Sequence, residues 1–121
     1  MPSSHPPLDH ALAADGPVVA TLRAAFPNVL AMYVFGSRAQ GTARADSDLD
    51  LAVLVAGYAD PLQLWDVSAE LAALVGCPVD LLDLRAASTV MQYQVLTGGH
   101  RLWGDALMPT EPKVRWMRRL R

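Results

Sequence analysis

Apolar positions follow helical spacing in some stretches of the chain and form short unbroken runs in others. Val18, Val19, Leu22, Ala25 and Phe26 recur at helical intervals after Pro17, and Pro27-Asn28 ends that pattern. Residues 29–35 are continuously apolar, with β-branched and aromatic members, so they predict a buried strand that Gly36 breaks. Residues 37–40 predict one helical turn closed by Gly41. A second strand is expected over 48–55, an amphipathic helix over 62–75 ended by Gly76, and a third strand over 79–84. A helix over 88–97 follows, with Ser88 as N-cap and Gly98-Gly99 as its end. A short strand over 100–103 and a last helical segment, 113–121, complete the pattern. Residues 1–15, rich in Pro, Ser and His over the first ten, are expected to be disordered. The order predicts an α/β (α+β) domain: a small mixed β-sheet flanked by helices, carried by residues 16–104, with 105–121 as a basic C-terminal segment.

The strand at 48–55 contains an anomaly. Its apolar run is interrupted at one end by Asp48 and Asp50, which share a face because strand side chains alternate. Two carboxylates about 7 Å apart repel each other unless a cation lies between them. Mg²⁺ accepts carboxylate oxygens together with substrate phosphates, and a two-metal site requires a further acid from a neighbouring strand. Asp80 and Asp83 both lie in the third strand but face opposite ways, so only one can join. Asp80, early in its strand, is the choice for the metal face, and Asp83 is expected to be a solvated strand end. Residues 46–50 also place acids where a calcium loop does. That motif needs Gly at its sixth position and Glu at its twelfth, where Leu51 and Gly57 stand. A plain polar turn accounts for Asp46 and Ser47 but leaves Asp50, inside an apolar run, without a reason.

Gly36-Ser37 directly follows a strand and opens a helical turn, an arrangement that favours anions. Gly36 lets a phosphate approach the backbone, Ser37 adds a hydroxyl, and Arg38 and Arg44 add charge. Gly36 to Gly41 has P-loop spacing, yet Thr42-Ala43 stands where that motif needs Lys followed by Ser or Thr.

Composition narrows the picture. The 121 residues suit one domain, 52% hydrophobic and 18% charged, and the low charge hints at a surface covered by a partner. No apolar run has the length of a membrane span, and residues 1–10 lack the pattern of a signal peptide, so a cytoplasmic protein without membrane contact is expected. Cys77 is the single cysteine, which excludes an internal disulfide. Lys113, Arg115, Arg118, Arg119 and Arg121 hold half of the ten basic residues, and all twelve acidic residues precede them. The body is therefore acidic, which argues against direct nucleic-acid binding. His100 is expected to be a surface or packing residue, Trp65 and Trp103 partly buried, and Met91, Tyr93 and Leu96 core residues of their helix.

Taken together, Gly36-Ser37, ten residues, then Asp48-Leu49-Asp50 resembles the signature of the DNA polymerase β-like nucleotidyltransferase superfamily. The stretches 35–41 and 47–51 look like its minimal nucleotidyltransferase (MNT) branch, and Asp80 matches the position of that family's third carboxylate. The resemblance implies a Mg²⁺-dependent enzyme with a two-metal site and ATP as substrate. Gly36 and Ser37 would then hold the β- and γ-phosphates, with Asp48, Asp50 and Asp80 as catalytic metal ligands. Many relatives carry Lys or Arg where Gln40 stands, so one basic contact near the phosphates is in question.

A chain this short leaves no room for an acceptor-binding domain, so a partner or a second copy is expected to present the acceptor. Short MNT proteins resemble antitoxins paired with HEPN-domain toxins, which are ribonucleases. By that resemblance the chain is expected to transfer AMP to a tyrosine of such a toxin. The alternatives are transfer to a small molecule or a nucleic-acid end, and an antitoxin that acts by binding alone.

Overall fold

The computed structural model describes residues 7–44 and 46–104. Its elements are α1 (Leu8–Ala11), α2 (Pro17–Ala25), β1 (Val29–Phe35), α3 (Ser37–Gln40), β2 (Leu49–Val55), α4 (Pro61–Val75), β3 (Val79–Asp83), α5 (Thr89–Gly98) and β4 (His100–Gly104). The four strands form one sheet in the order β3-β2-β1-β4. β1 runs antiparallel to both β2 and β4, and β2 runs parallel to β3. A parallel pair needs a crossover, which α4 supplies. The sheet is therefore mixed and small, as its sequence predicts.

Local chemistry fixes the ends of the helices. Pro17 and Pro61 open α2 and α4, where a missing N–H costs nothing. Asp60 caps α4 by accepting a hydrogen bond from the Leu62 amide at 3.0 Å, and Gly76 ends it in the left-handed conformation. The Ser88 hydroxyl accepts from the Met91 amide at 3.1 Å, confirming it as the cap of α5.

Both faces of the sheet are covered, which explains the unbroken apolar runs of β1 and β2. Leu49, Leu51, Val53 and Val55 face a core built with Val18, Val19 and Leu22 of α2 and Val67 and Leu71 of α4. Ala52 and Leu54 face a smaller core with Ala31, Tyr33 and Phe35 of β1 and Val95 and Leu96 of α5. Burial pushes the Tyr33 hydroxyl up to about 12, with the Arg101 charge opposing.

Three expectations need correction. Residues 8–11 are not disordered: α1 forms a turn there, Ala11 is fully buried, and Leu8 and Leu12 pack against the larger core. Apolar residues at i, i+3 and i+4 carry that turn, in a stretch whose prolines and histidines obscure it. Trp65 is 77% exposed, because α4 turns Val67 and Leu71 toward the sheet and Trp65 away from it. Tyr93 is 53% exposed, whereas Leu96 is buried and Met91 partly so. Trp103 is partly buried as expected, with the Arg23 guanidinium 4.9 Å from its ring centroid. The segment 113–121, with Trp116, lies outside the described residues. Among the described residues no helix is long and apolar enough to cross a membrane.

Candidate active site

The site lies where β1 ends and β2 begins. Gly36 leaves β1 with φ +71° and ψ −154°, a conformation that side chains strongly disfavour. It also packs on Asp50: a Cβ at residue 36 would collide with the Asp50 carboxylate. The Ala39 and Gln40 amides both donate to the Gly36 carbonyl at 3.1 Å, which closes the α3 turn with Ser37 at its head. His100 places a ring nitrogen 2.8 Å from the Ala39 carbonyl and ties that turn to the start of β4. It is a surface residue, within the expectation of a surface or packing residue.

The loop before β2 is braced from both sides. The Ser47 amide donates to the Arg44 carbonyl at 3.0 Å, and the Arg44 amide donates to the Ser47 hydroxyl at 2.7 Å. The Arg38 guanidinium donates to the Ser47 carbonyl at 2.8 Å. Arg38 thus links the Gly36-Ser37 turn to the residue before Asp48, a positioning contact that sequence reasoning did not anticipate. The Arg44 side chain is exposed beside this loop.

Asp48 stands exposed just ahead of β2, and Asp50 is partly buried inside it. The β2–β3 register sets Asp50 directly opposite Asp80, and the β1–β2 register sets it opposite Phe35. Registered partners point to the same face, so Asp50 and Asp80 share the α5 side of the sheet. Asp50 is held above the ordinary carboxylate range by burial first, then by the negative charges of Asp80 and Asp48. Of the three acids expected from sequence, Asp50 and Asp80 are strand neighbours, and Asp48 lies near enough for its charge to act on Asp50.

Asp83 behaves differently from its expectation. It is only 6% exposed and lies on the opposite face from Asp80. One carboxylate oxygen accepts from the Ala59 amide at 2.9 Å and the other from the Arg85 amide at 3.0 Å. It is a buried anchor for two loops, not a solvated strand end.

Among the described residues no three His, Cys, Asp or Glu side chains are gathered closely enough to form a ready-made metal cage. The donor set nevertheless suits Mg²⁺, which typically takes one or two carboxylates plus substrate phosphates and keeps several waters. Asp48 and Asp80 are exposed, and Asp50 between them is partly buried.

Beside the acids lies a cleft of about 480 Å³ between α3 and α5, which shares Gly36 and Asp50 with the site. Its α5 wall is Tyr93, Gln94 and Thr97, residues that sequence reasoning did not assign to the site. The available signal was their i, i+1, i+4 spacing on the side of α5 away from Val95 and Leu96.

Known proteins resemble this chain in sequence and fold. The chain is 42% identical over 90 residues to the protein adenylyltransferase MntA of Shewanella oneidensis, an alignment spanning 74% of this chain and 65% of that relative, just under two thirds of its length. A crystal structure of a toxin–antitoxin with AMP-PNP superposes with a TM-score of 0.75 at 37% identity, covering 85% of this chain and 80% of the other. A structure of tri-AMPylated Shewanella oneidensis HEPN toxin in complex with MNT antitoxin matches with a TM-score of 0.63 at 39% identity, covering 73% and 67%. Residues 19–106 match the family described as polymerase beta, nucleotidyltransferase, and the three carboxylates and the glycine-serine turn lie within that span. The chain belongs to the polymerase beta nucleotidyltransferase family.

Proposed function

We propose that the chain is a Mg²⁺-dependent protein adenylyltransferase that transfers AMP from ATP to a tyrosine of a HEPN-type ribonuclease toxin, and so acts as its antitoxin in the cytoplasm. The observation that carries the reading is the opposition of Asp50 and Asp80 across β2 and β3, with Gly36 packed on the Asp50 carboxylate. The similarity to the MntA adenylyltransferase and to antitoxin complexes containing AMP-PNP or AMPylated toxin supports the choice of reaction and partner.

In this reading Asp48, Asp50 and Asp80 hold Mg²⁺, and Gly36 and Ser37 hold the β- and γ-phosphates. Arg44 adds charge to the phosphate environment. Arg38, beyond any phosphate contact, keeps the loop ahead of Asp48 in place. Bound Mg²⁺ would neutralise triphosphate charge and favour ionisation of the acceptor hydroxyl. The tyrosine oxygen bonds to the α-phosphorus as the bond to pyrophosphate breaks, and Asp80, exposed at the edge strand β3, takes the phenolic proton. The protein's work is positioning and charge stabilisation, with no covalent intermediate on the chain. Residues 16–104 form the catalytic unit in this reading.

The test is to incubate the protein with Mg²⁺, a HEPN toxin and ATP labelled at either the α- or the γ-phosphate. Label transferred from the α position alone, and lost in the Asp48→Ala/Asp50→Ala double variant, is the expected result. No α-label on any protein would sink the reading. Inhibition of the toxin that survives the double variant would show an antitoxin that acts by binding alone.

A further inference from the structure

The function above assigns the phosphates, the cation and the acceptor, but gives the nucleoside no place. The nucleoside is joined through the α-phosphate, so its place must adjoin the metal-binding carboxylates, of which Asp50 is the one packed against the Gly36 turn. The cleft between α3 and α5 has both residues in its wall, and its volume of about 480 Å³ falls in the ~300–1,000 Å³ range of small-molecule sites.

The chemistry of the other walls suits a nucleobase. Tyr93 presents an aromatic ring to solvent while its helix neighbours Gln92, Val95 and Leu96 are buried, so the ring is spare to the core. An exposed ring beside a reacting centre offers a stacking surface for a base. Gln94 and Gln40 are exposed on the two sides of the cleft and carry neutral amides, each both donor and acceptor, as the edge of a base requires. The Gln40 amide nitrogen lies 3.7 Å from where a Cβ on Gly98 would stand, so it reaches across to the end of α5. The Thr97 hydroxyl donates to the Tyr93 carbonyl at 2.7 Å, which fixes the turn of α5 that carries the ring.

We propose that this cleft holds the nucleoside of the substrate NTP, with Tyr93 stacked on the base and the Gln40 and Gln94 amides along its edge. The inference rests on the nucleotidyltransferase reading above and adds to it the residues that select the base.

Calorimetric titration of the full chain in Mg²⁺, without any toxin, tests it. The two probes are the α,β-methylene analogue of ATP, which resists transfer, and inorganic tripolyphosphate, which has no nucleoside. The wild type is expected to bind the nucleotide more tightly than tripolyphosphate. Tyr93→Ala should weaken nucleotide binding by roughly 5- to 150-fold, the range for loss of one stacked base. It should leave tripolyphosphate binding unchanged, and Tyr93→Phe should restore the nucleotide's affinity. Gln94→Ala should narrow the difference between ATP and GTP analogues.

If Tyr93→Ala binds the nucleotide as the wild type does, the nucleoside lies elsewhere and the inference falls alone. The same holds if Tyr93→Ala raises only the KM for a protein acceptor. If the wild type binds neither probe, the nucleotidyltransferase reading falls, and the cleft assignment with it.

Discussion

Asp50 is partly buried and Asp83 fully so, with opposite consequences. Asp50 is raised by burial and by two like charges, so the folded chain holds its proton more tightly than the unfolded chain does. Stability therefore falls as pH rises from the ordinary carboxylate value through the raised folded one. Asp50→Asn should remove that slope in denaturation midpoints measured across pH, and raise the melting temperature of the metal-free protein at pH 7. It should also abolish the stabilisation that Mg²⁺ with nucleotide gives the wild type. Asp83 instead accepts two backbone amides, and Asp83→Ala leaves those amides unpaired in a buried setting. We expect a loss of about 1–3 kcal/mol in urea denaturation, with AMP transfer per folded molecule retained. Asp80→Asn, at an exposed position, should do the reverse: little change in stability, and transfer reduced by about 100-fold or more. From sequence, i and i+3 facing opposite ways allowed only one of Asp80 and Asp83 on the metal face, and the early place of Asp80 in its strand favoured it. The burial of Asp83 was not legible, because its partners Ala59 and Arg85 lie in loops that only the fold brings to it.

Among the elements, α5 was the least legible in the sequence. Its limits follow from Ser88 and the two glycines, but its apolar residues are spread around the helix, so periodicity does not separate Tyr93 from Leu96. Packing on β1 made that choice: Val95 and Leu96 meet the sheet, and Val90 and Tyr93 do not. The same ambiguity misplaces Trp65 on α4. The cap is open to direct test. Ser88→Ala should cost about 0.5–2 kcal/mol in thermal or urea denaturation, with the first turn of α5 losing hydrogen-exchange protection before the sheet does. Between α3 and β2, Arg38 ties one element to the next through a main-chain carbonyl. A carbonyl partner leaves no trace in sequence, so the arginine reads there as a phosphate ligand.

At the scale of the whole molecule, charge and ligand binding act together. The acidic body concentrates negative charge at Asp48, Asp50 and Asp80, which destabilises the apo protein locally and favours a cation. A ligand that binds only the folded state stabilises it by about 2.7 kcal/mol at a concentration 100 times its Kd. Mg²⁺ with a non-reactive ATP analogue should therefore raise the melting temperature of the wild type. EDTA should reverse the rise, and the Asp48→Ala/Asp50→Ala variant should lack it.

The sequence by itself determined the strands, the helix ends and the pairing of a glycine-serine turn with two carboxylates, because these depend on neighbours a few residues apart. It also determined the mixed sheet, through the order of the elements. The tertiary structure decided which long-range neighbours meet. The β2–β3 register set Asp80 against Asp50, Gly36 came to lie on the Asp50 carboxylate, α1 joined the core, and Tyr93 was left facing the cleft. These outcomes depend on strand register and on which helix covers which face, and neither is encoded in local spacing.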